Sequence, residues 1–316
     1  MKKIANRLEA YFFFTPKTLY DLAFFRIAVG LVTIVYFIQM KKDVLDNCGE
    51  FGIIRREIQE LYIVHPYIPR LTWLCDIFKT LPNYDEEIVL NSLIGLAITA
   101  SCCMILGLFT RLSAFITWFL FLCFYKSTFL SSYGFESFLC TSLFCCTVMP
   151  VGDYGSLENV FRKNQKKSIY HGFSLRVLQL HLCLVYFFGG FFKAMGLDWW
   201  TGESIWRALS RQPFNMYDFT WMSEYHFVPI TMGISVVILE TFYPLFTNFA
   251  KSRPYWVALI LLMHLGIGIF MGLYLFASTM IVLNITAFEW TYIEKYIVHK
   301  KLSLLFHFPY QWLKIG

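Results

Sequence analysis

Residues 255–290 read YWVALILLMHLGIGIFMGLYLFASTMIVLNITAFEW, one unbroken apolar run. A helix rises 1.5 Å per residue, so these positions would reach about 54 Å, whereas the hydrocarbon of a bilayer is about 30 Å thick. The run is therefore read as two crossings, 255–271 and 273–290, with Gly266, Gly268 and Gly272 making a tight hairpin between them. The same length rule, applied outward along the chain, gives six more apolar segments at 19–40, 88–109, 112–130, 135–151, 173–193 and 227–247. The fourth of the eight, 135–151, is short for a crossing. The expectation is an all-α integral membrane protein of about eight transmembrane helices, a single domain over 1–316 with no separate soluble domain.

Composition agrees. Of 316 residues, 57% are hydrophobic and only 15% are Asp, Glu, Lys or Arg, against about 25% charged in a soluble domain. Mean hydropathy is +0.54. That excludes a soluble enzyme, a disordered tail and a nucleic-acid-binding module. The net charge of +6 is instead a matter of topology. With the N-terminus inside, the inner segments carry Lys2, Lys3, Arg7, Lys17, Arg111, Arg162, Lys163, Lys166, Lys167, Lys251, Arg253, Lys295, Lys300, Lys301 and Lys314. The outer segments carry Lys41, Lys42, Arg55, Arg56, Arg70, Lys79, Lys126, Arg207 and Arg211 over a greater length, mixed with acids. The excess places both termini in the cytoplasm, in a cell (inner) membrane; Lys41 and Lys42 run against it. Residues 3–14 read as an amphipathic interfacial helix rather than a cleaved signal, and 41–87 and 197–226 as amphipathic caps on the outer face.

Ionisable groups within spans cost about 2.5–3.5 kcal/mol each on the insertion scale, so each needs a reason. Arg26 and Glu240 fall at matching depths in the first and sixth spans, and their opposite signs suggest a structural ion pair joining those helices. A substrate-binding or snorkelling Arg26 is the alternative. Lys193 ends the fifth span. At 100° per residue, Gln179, Leu182, Tyr186, Gly189, Gly190 and Lys193 share one face, and its two glycines admit a close neighbour. A lysine beside an apolar cavity loses hydration and can serve as a neutral base; the plainer reading is a lysine reaching up to headgroups.

Of nine cysteines, seven lie in spans as small apolar fillers. Cys48 and Cys75 share the first outer loop, where an oxidising compartment would allow a disulfide. Their spacing is not that of a redox-active pair. No His/Cys set has metal-binding spacing, so no metal is expected. His181 and His264 are better read as neutral imidazoles bonded between helices than as haem ligands.

These motifs together resemble the HTTM family, the membrane domain shared with vitamin K-dependent gamma-carboxylase. The resemblance rests first on Val185-Tyr186-Phe187-Phe188-Gly189-Gly190, Lys193, and Asp198-Trp199-Trp200-Thr201-Gly202-Glu203. It is extended by Phe24-Phe25-Arg26-Ile27-Ala28-Val29-Gly30, by Met149-Pro150-Val151-Gly152-Asp153 with Ser156-Leu157-Glu158, and by Glu240 with Tyr243-Pro244-Leu245 and 264–272.

The resemblance implies that Lys193 is a catalytic base for a vitamin K-like hydroquinone or other quinone-class substrate. Tyr186 and His264 would position ring oxygens, Trp199 and Trp200 would roof the cavity, and Gln179 and Asp198 would complete the substrate site. Two departures count against glutamate carboxylation. Where the carboxylase has an Asn-His pair, 126–133 contains no histidine, and the stretch after residue 290 is too short for its lumenal domain. Small bacterial relatives also resemble the membrane component that matures a sporulation-delaying peptide toxin. The alternative expectations are therefore a maturation or export factor for a secreted peptide or protein, or a non-catalytic subunit of a membrane complex. In every case the surrounding partner is the lipid bilayer.

Overall fold

The computed structural model describes residues 11–13, 20–63, 65–80, 82–161 and 170–289. Among them all regular structure is helical. The order is α1 Asp21–Lys42, α2 Val44–Cys48, α3 Arg56–Leu61, α4 Leu71–Lys79, α5 Glu86–Leu106, α6 Thr110–Ser127, α7 Phe135–Val148 and α8 Leu157–Phe161. Then come α9 Tyr170–Met195, α10 Leu197–Trp200, α11 Glu203–Ser210, α12 Phe227–Thr241, α13 Tyr243–Asn248, α14 Arg253–Met271 and α15 Tyr274–Asn284, closed by a π turn, Ile285–Glu289.

The apolar segments fall on helices, but 227–247 is divided between α12 and α13, and 273–290 runs through α15 into the π turn. By length and composition, α1, α5, α9 and α14 can each cross a bilayer, and α7, α12 and α15 are shorter apolar helices. The interfacial helix expected at 3–14 falls outside the described residues except for 11–13, as do the basic stretch 162–169 and everything after residue 289.

Local chemistry sets the helix ends. The Asp85 carboxylate accepts from the backbone N–H groups of Glu87 and Ile88 and so starts α5. Gly107, at φ +72°, ends it. The 255–290 run breaks where a left-handed residue is needed: α14 stops at Met271 and Gly272 turns at φ +71°. Gly268 serves differently, since a Cβ there would lie 3.0 Å from the Ala277 Cβ, which lets α14 and α15 pack closely.

The helices form two groups. In the first, α1 packs on α5, and α6 joins α5 to α7. Its centre is aromatic: Tyr36 and Phe37 of α1 meet Phe121 and Phe124 of α6 and Phe135 of α7 in mostly edge-on contacts. In the second, α9 packs on α12 and α13, and α14 on α13 and α15. Helix α15 reaches back to α1 and α7 and joins the groups. Burial follows this plan: 56% of the apolar stretch of α1 is buried, against 22% for α14.

The segment between α1 and α5 is tied down by Arg56, whose guanidinium pairs with Glu86 at 2.6 Å and donates to the Cys48 carbonyl at 2.6 Å. The Leu71 N–H donates to Ser127 Oγ, fixing α4 to the end of α6. Cys48 and Cys75 are both buried here as free thiols, contrary to the disulfide reading. Cys48 Sγ lies 3.7 Å from Met40 Sδ instead. Dehydration pushes the Cys48 thiol up to about 12 and raises Cys75 as well.

Candidate functional site

The predicted pairing of Arg26 with Glu240 is wrong. Glu240 Oε2 lies 2.5 Å from Lys193 Nζ, and the two side chains are 9% and 26% exposed. The reason is where the segment between α9 and α12 packs. Helices α10 and α11 lie beside the first turns of α12, where Gly233 and Gly202 allow backbone to touch backbone. A Cβ at Gly233 would be 2.3 Å from the Trp199 carbonyl oxygen, and one at Gly202 would be 2.5 Å from Ile230 N. Lys193, near the end of α9, therefore faces the last turn of α12 rather than its first. That is about 20 Å along the helix from Phe227.

Three local features hold the pair. Gly190 brings α9 onto the end of α12, since a Cβ there would sit 2.4 Å from Thr241 N, and Gly189 leaves room for the Glu240 carboxylate. Helix α12 ends at Thr241, and Pro244 sits in the first turn of α13, where its missing N–H costs least. Glu240 thus lies at the negative end of a helix dipole, where a carboxylate gains from a nearby cation. The Trp199 ring centroid is 5.1 Å from Lys193 Nζ, a cation–π contact that covers the amine.

Two turns below Lys193 on the same face is Tyr186, 3% exposed. Its hydroxyl is 2.7 Å from His264 Nε2 of α14 and 2.7 Å from Asn284 Nδ2 of α15. Asn284 Oδ1 accepts from the Tyr243 hydroxyl of α13 at 2.7 Å. Four helices thus contribute to one buried polar chain, Tyr243–Asn284–Tyr186–His264. Tyr243, three residues after Glu240, also places its ring 4.2 Å from that of Tyr186, so the chain and the ion pair adjoin in one centre. His264 Nδ1 is buried and has no partner among the described residues.

The other site candidates separate. Gln179 lies far along α9, donating to the Ala287 carbonyl at 2.7 Å and accepting from Arg176; it fastens the π turn rather than lining this centre. Asp198 accepts from Ser204 and closes the α10–α11 corner. Trp200 is 42% exposed and donates its indole N–H to the Ala194 carbonyl at 2.8 Å, anchoring α10 to the end of α9. Arg26 is fully buried elsewhere. Its Nη2 donates to the Gly155 carbonyl at 2.6 Å, while Nε and Nη1 have no partner among the described residues. It sits against Gly107 at the carbonyl end of α5, where the helix dipole favours a cation.

Asn284 was not singled out in the sequence, and Tyr243 entered only as part of the Tyr243-Pro244-Leu245 motif, with no role assigned. Asn284 carried a usable signal, an amide within 36 apolar positions, because an amide in hydrocarbon demands a partner. Tyr243 carried none beyond its place before Pro244.

The helices, their exposed apolar flanks and this enclosed polar centre define an all-helical membrane protein. The family model described as HTTM domain matches residues 14–292, and the chain belongs to that family. No curated protein and no solved structure matches it.

Proposed function

We propose that this HTTM protein crosses an inner membrane eight times with both termini cytoplasmic, and that the Lys193–Glu240 pair is a proton-accepting centre opening toward the outer face. Its substrate would be a lipid-soluble molecule of the quinol class or an acidic group on a secreted peptide. The observation that carries this reading is the ion pair itself, held between two membrane helices under the Trp199 ring and next to Tyr186 and His264. Charge asymmetry between the loops supports the topology, and the gamma-carboxylase resemblance around Lys193 supports the chemistry.

Held by Glu240, the amine is an ammonium and accepts no further proton. In a dehydrated site an ion pair and its neutral form come closer in energy, because solvation no longer favours charge. Transfer of the Lys193 proton to Glu240 leaves a neutral amine. That amine takes the proton of a phenolic O–H, giving phenolate beside ammonium, with Glu240 neutral. A quinol fits the residues present in one respect: the orphan His264 Nδ1 is a nitrogen for which a ring oxygen would be a partner. The test is oxygen consumption and product mass for a short-chain naphthohydroquinone given to the protein in nanodiscs. Lys193→Met/Glu240→Gln, which removes both charges together, should abolish turnover; equal turnover in the two proteins would overturn the reading.

A second reading, a non-catalytic maturation or assembly factor, is favoured by one observation. The amine is already occupied, while the α11–α12 corner forms an open cleft of about 250 Å³ lined by Glu203, Trp206, Ser223 and His226. A peptide or neighbouring subunit that co-purifies equally with the native and double-variant proteins, neither of them turning over quinol, would decide for it.

A further inference from the structure

The hydrogen bonds of the buried chain have a fixed direction, and that direction can be read from one end to the other. Asn284 Nδ2 lies 2.9 Å from the Met280 carbonyl oxygen, which can only accept. The nitrogen side of the amide is therefore assigned, because the reversed amide would set oxygen against oxygen. The other Nδ2 proton goes to the Tyr186 oxygen, and Oδ1 accepts from the Tyr243 hydroxyl. Tyr186 thus accepts a hydrogen bond from Asn284 and keeps its own hydroxyl proton to donate. Among the described residues its remaining neighbour at hydrogen-bond distance is His264 Nε2, at 2.7 Å. Nε2 must then be the bare nitrogen of a neutral imidazole, and the ring proton sits on Nδ1.

We propose that Asn284 is a positioning residue that, through Tyr186, locks His264 as the neutral Nδ1–H tautomer and makes it a hydrogen-bond donor rather than a base. This deepens the proton-accepting reading of the Lys193 centre and rests on it for its functional meaning. His264 has one lone pair, and Tyr186 occupies it. What is left is a single N–H, suited to a neutral or anionic oxygen such as a quinone carbonyl or a phenolate. Proton acceptance then falls to Lys193 and Glu240 alone. The nearby ammonium acts in the same direction, since a second positive charge on His264 would be repelled in a site with little water.

The tautomer is visible without any substrate. In protein labelled with 15N-histidine and 13C-tyrosine and held in nanodiscs, His264 receives magnetisation from the Tyr186 ring across the 2.7 Å contact, and loss of that transfer in Tyr186→Phe separates its signal from that of His171, which packs on Tyr154. The expected spectrum shows a protonated Nδ1 and a bare Nε2, unchanged between about pH 5 and pH 8, the range in which an ordinary histidine changes charge. An Nε2–H tautomer, or an imidazolium forming in that range, overturns the assignment. Tyr186→Phe should release the lock and give a mixture of tautomers. Asn284→Leu should do the same while leaving the Tyr186 ring in place. If the lock survives in whichever of these variants folds, Asn284 and Tyr186 do not set it and the proposal fails. A wrong tautomer leaves the Lys193 reading standing, and loss of that reading through unchanged turnover in the charge-free pair leaves the tautomer standing.

Discussion

Arg26 and Lys193 are both cations inside the helix bundle, and the molecule accommodates them in opposite ways. Arg26, on α1 in the first group, is completely buried and meets no carboxylate among the described residues; it donates to one carbonyl and lies at the negative end of α5. Lys193, on α9 in the second group, keeps about a quarter of its side chain exposed and meets a carboxylate and an indole. Guanidinium suits the first place because its charge is spread and weakly hydrated; ammonium suits the second because its proton can be lost. The contrast separates a charge that serves to join elements from one available for chemistry.

The largest expected effect lies on the Lys193 side. Lys193→Ala leaves the Glu240 carboxylate buried without its cation and should lower stability by about 3–5 kcal/mol. The charge-free pair Lys193→Met/Glu240→Gln should recover most of that loss in thermal unfolding of the detergent-solubilised protein. Comparable losses in both would mean that packing, not charge, holds the α9–α12 contact.

Next come the two glycines that bring the partners together. A methyl at Gly107 would overlap the Ser156 side chain and the Arg26 guanidinium, at a residue whose φ is positive. A methyl at Gly190 would strike Thr241 N. Each alanine variant should cost about 1–3 kcal/mol, but only Gly190→Ala should also reduce turnover. Equal effects on turnover would erase the distinction between the two regions.

Arg26→Met should come third, at about 1 kcal/mol, since no acid is left unpaired and the freed Gly155 carbonyl is a single acceptor. A loss as large as that of Lys193→Ala would point to an anionic partner for Arg26. The smallest effect, and of opposite sign, is expected at Gly95. It is exposed on α5, and a methyl added there would meet nothing within 4 Å, so Gly95→Ala should raise stability by about 0.5–1 kcal/mol in the same unfolding measurement.

The mispairing of Arg26 shows where sequence reading stopped. Apolar length located the helical segments, because burial in hydrocarbon leaves the backbone little other choice, and four of them, α1, α5, α9 and α14, are long and apolar enough to cross a bilayer. Depth was then counted along 227–247 as though it were one straight helix flush with the membrane. The chain instead stops α12 at Thr241, and α10 and α11 sit beside its first turns, which sets Glu240 level with Lys193. The stop was legible in Pro244; the packing of α10 and α11 against α12 depends on contacts at Gly202 and Gly233 that no periodicity reports. The shared face of Tyr186 and Lys193 followed from helical geometry alone. Gln179 met that same criterion and lies elsewhere, because two residues on one face can still be several turns apart.

Helix α14 carries His264 on its inner side, while Leu262, Leu265 and Ile269 on the same helix are exposed. The partition between that imidazole and the surrounding acyl chains is accordingly one helix thick, about 10 Å. An oily visitor would meet this wall side-on, and the residue that greets it is mounted on the wall itself.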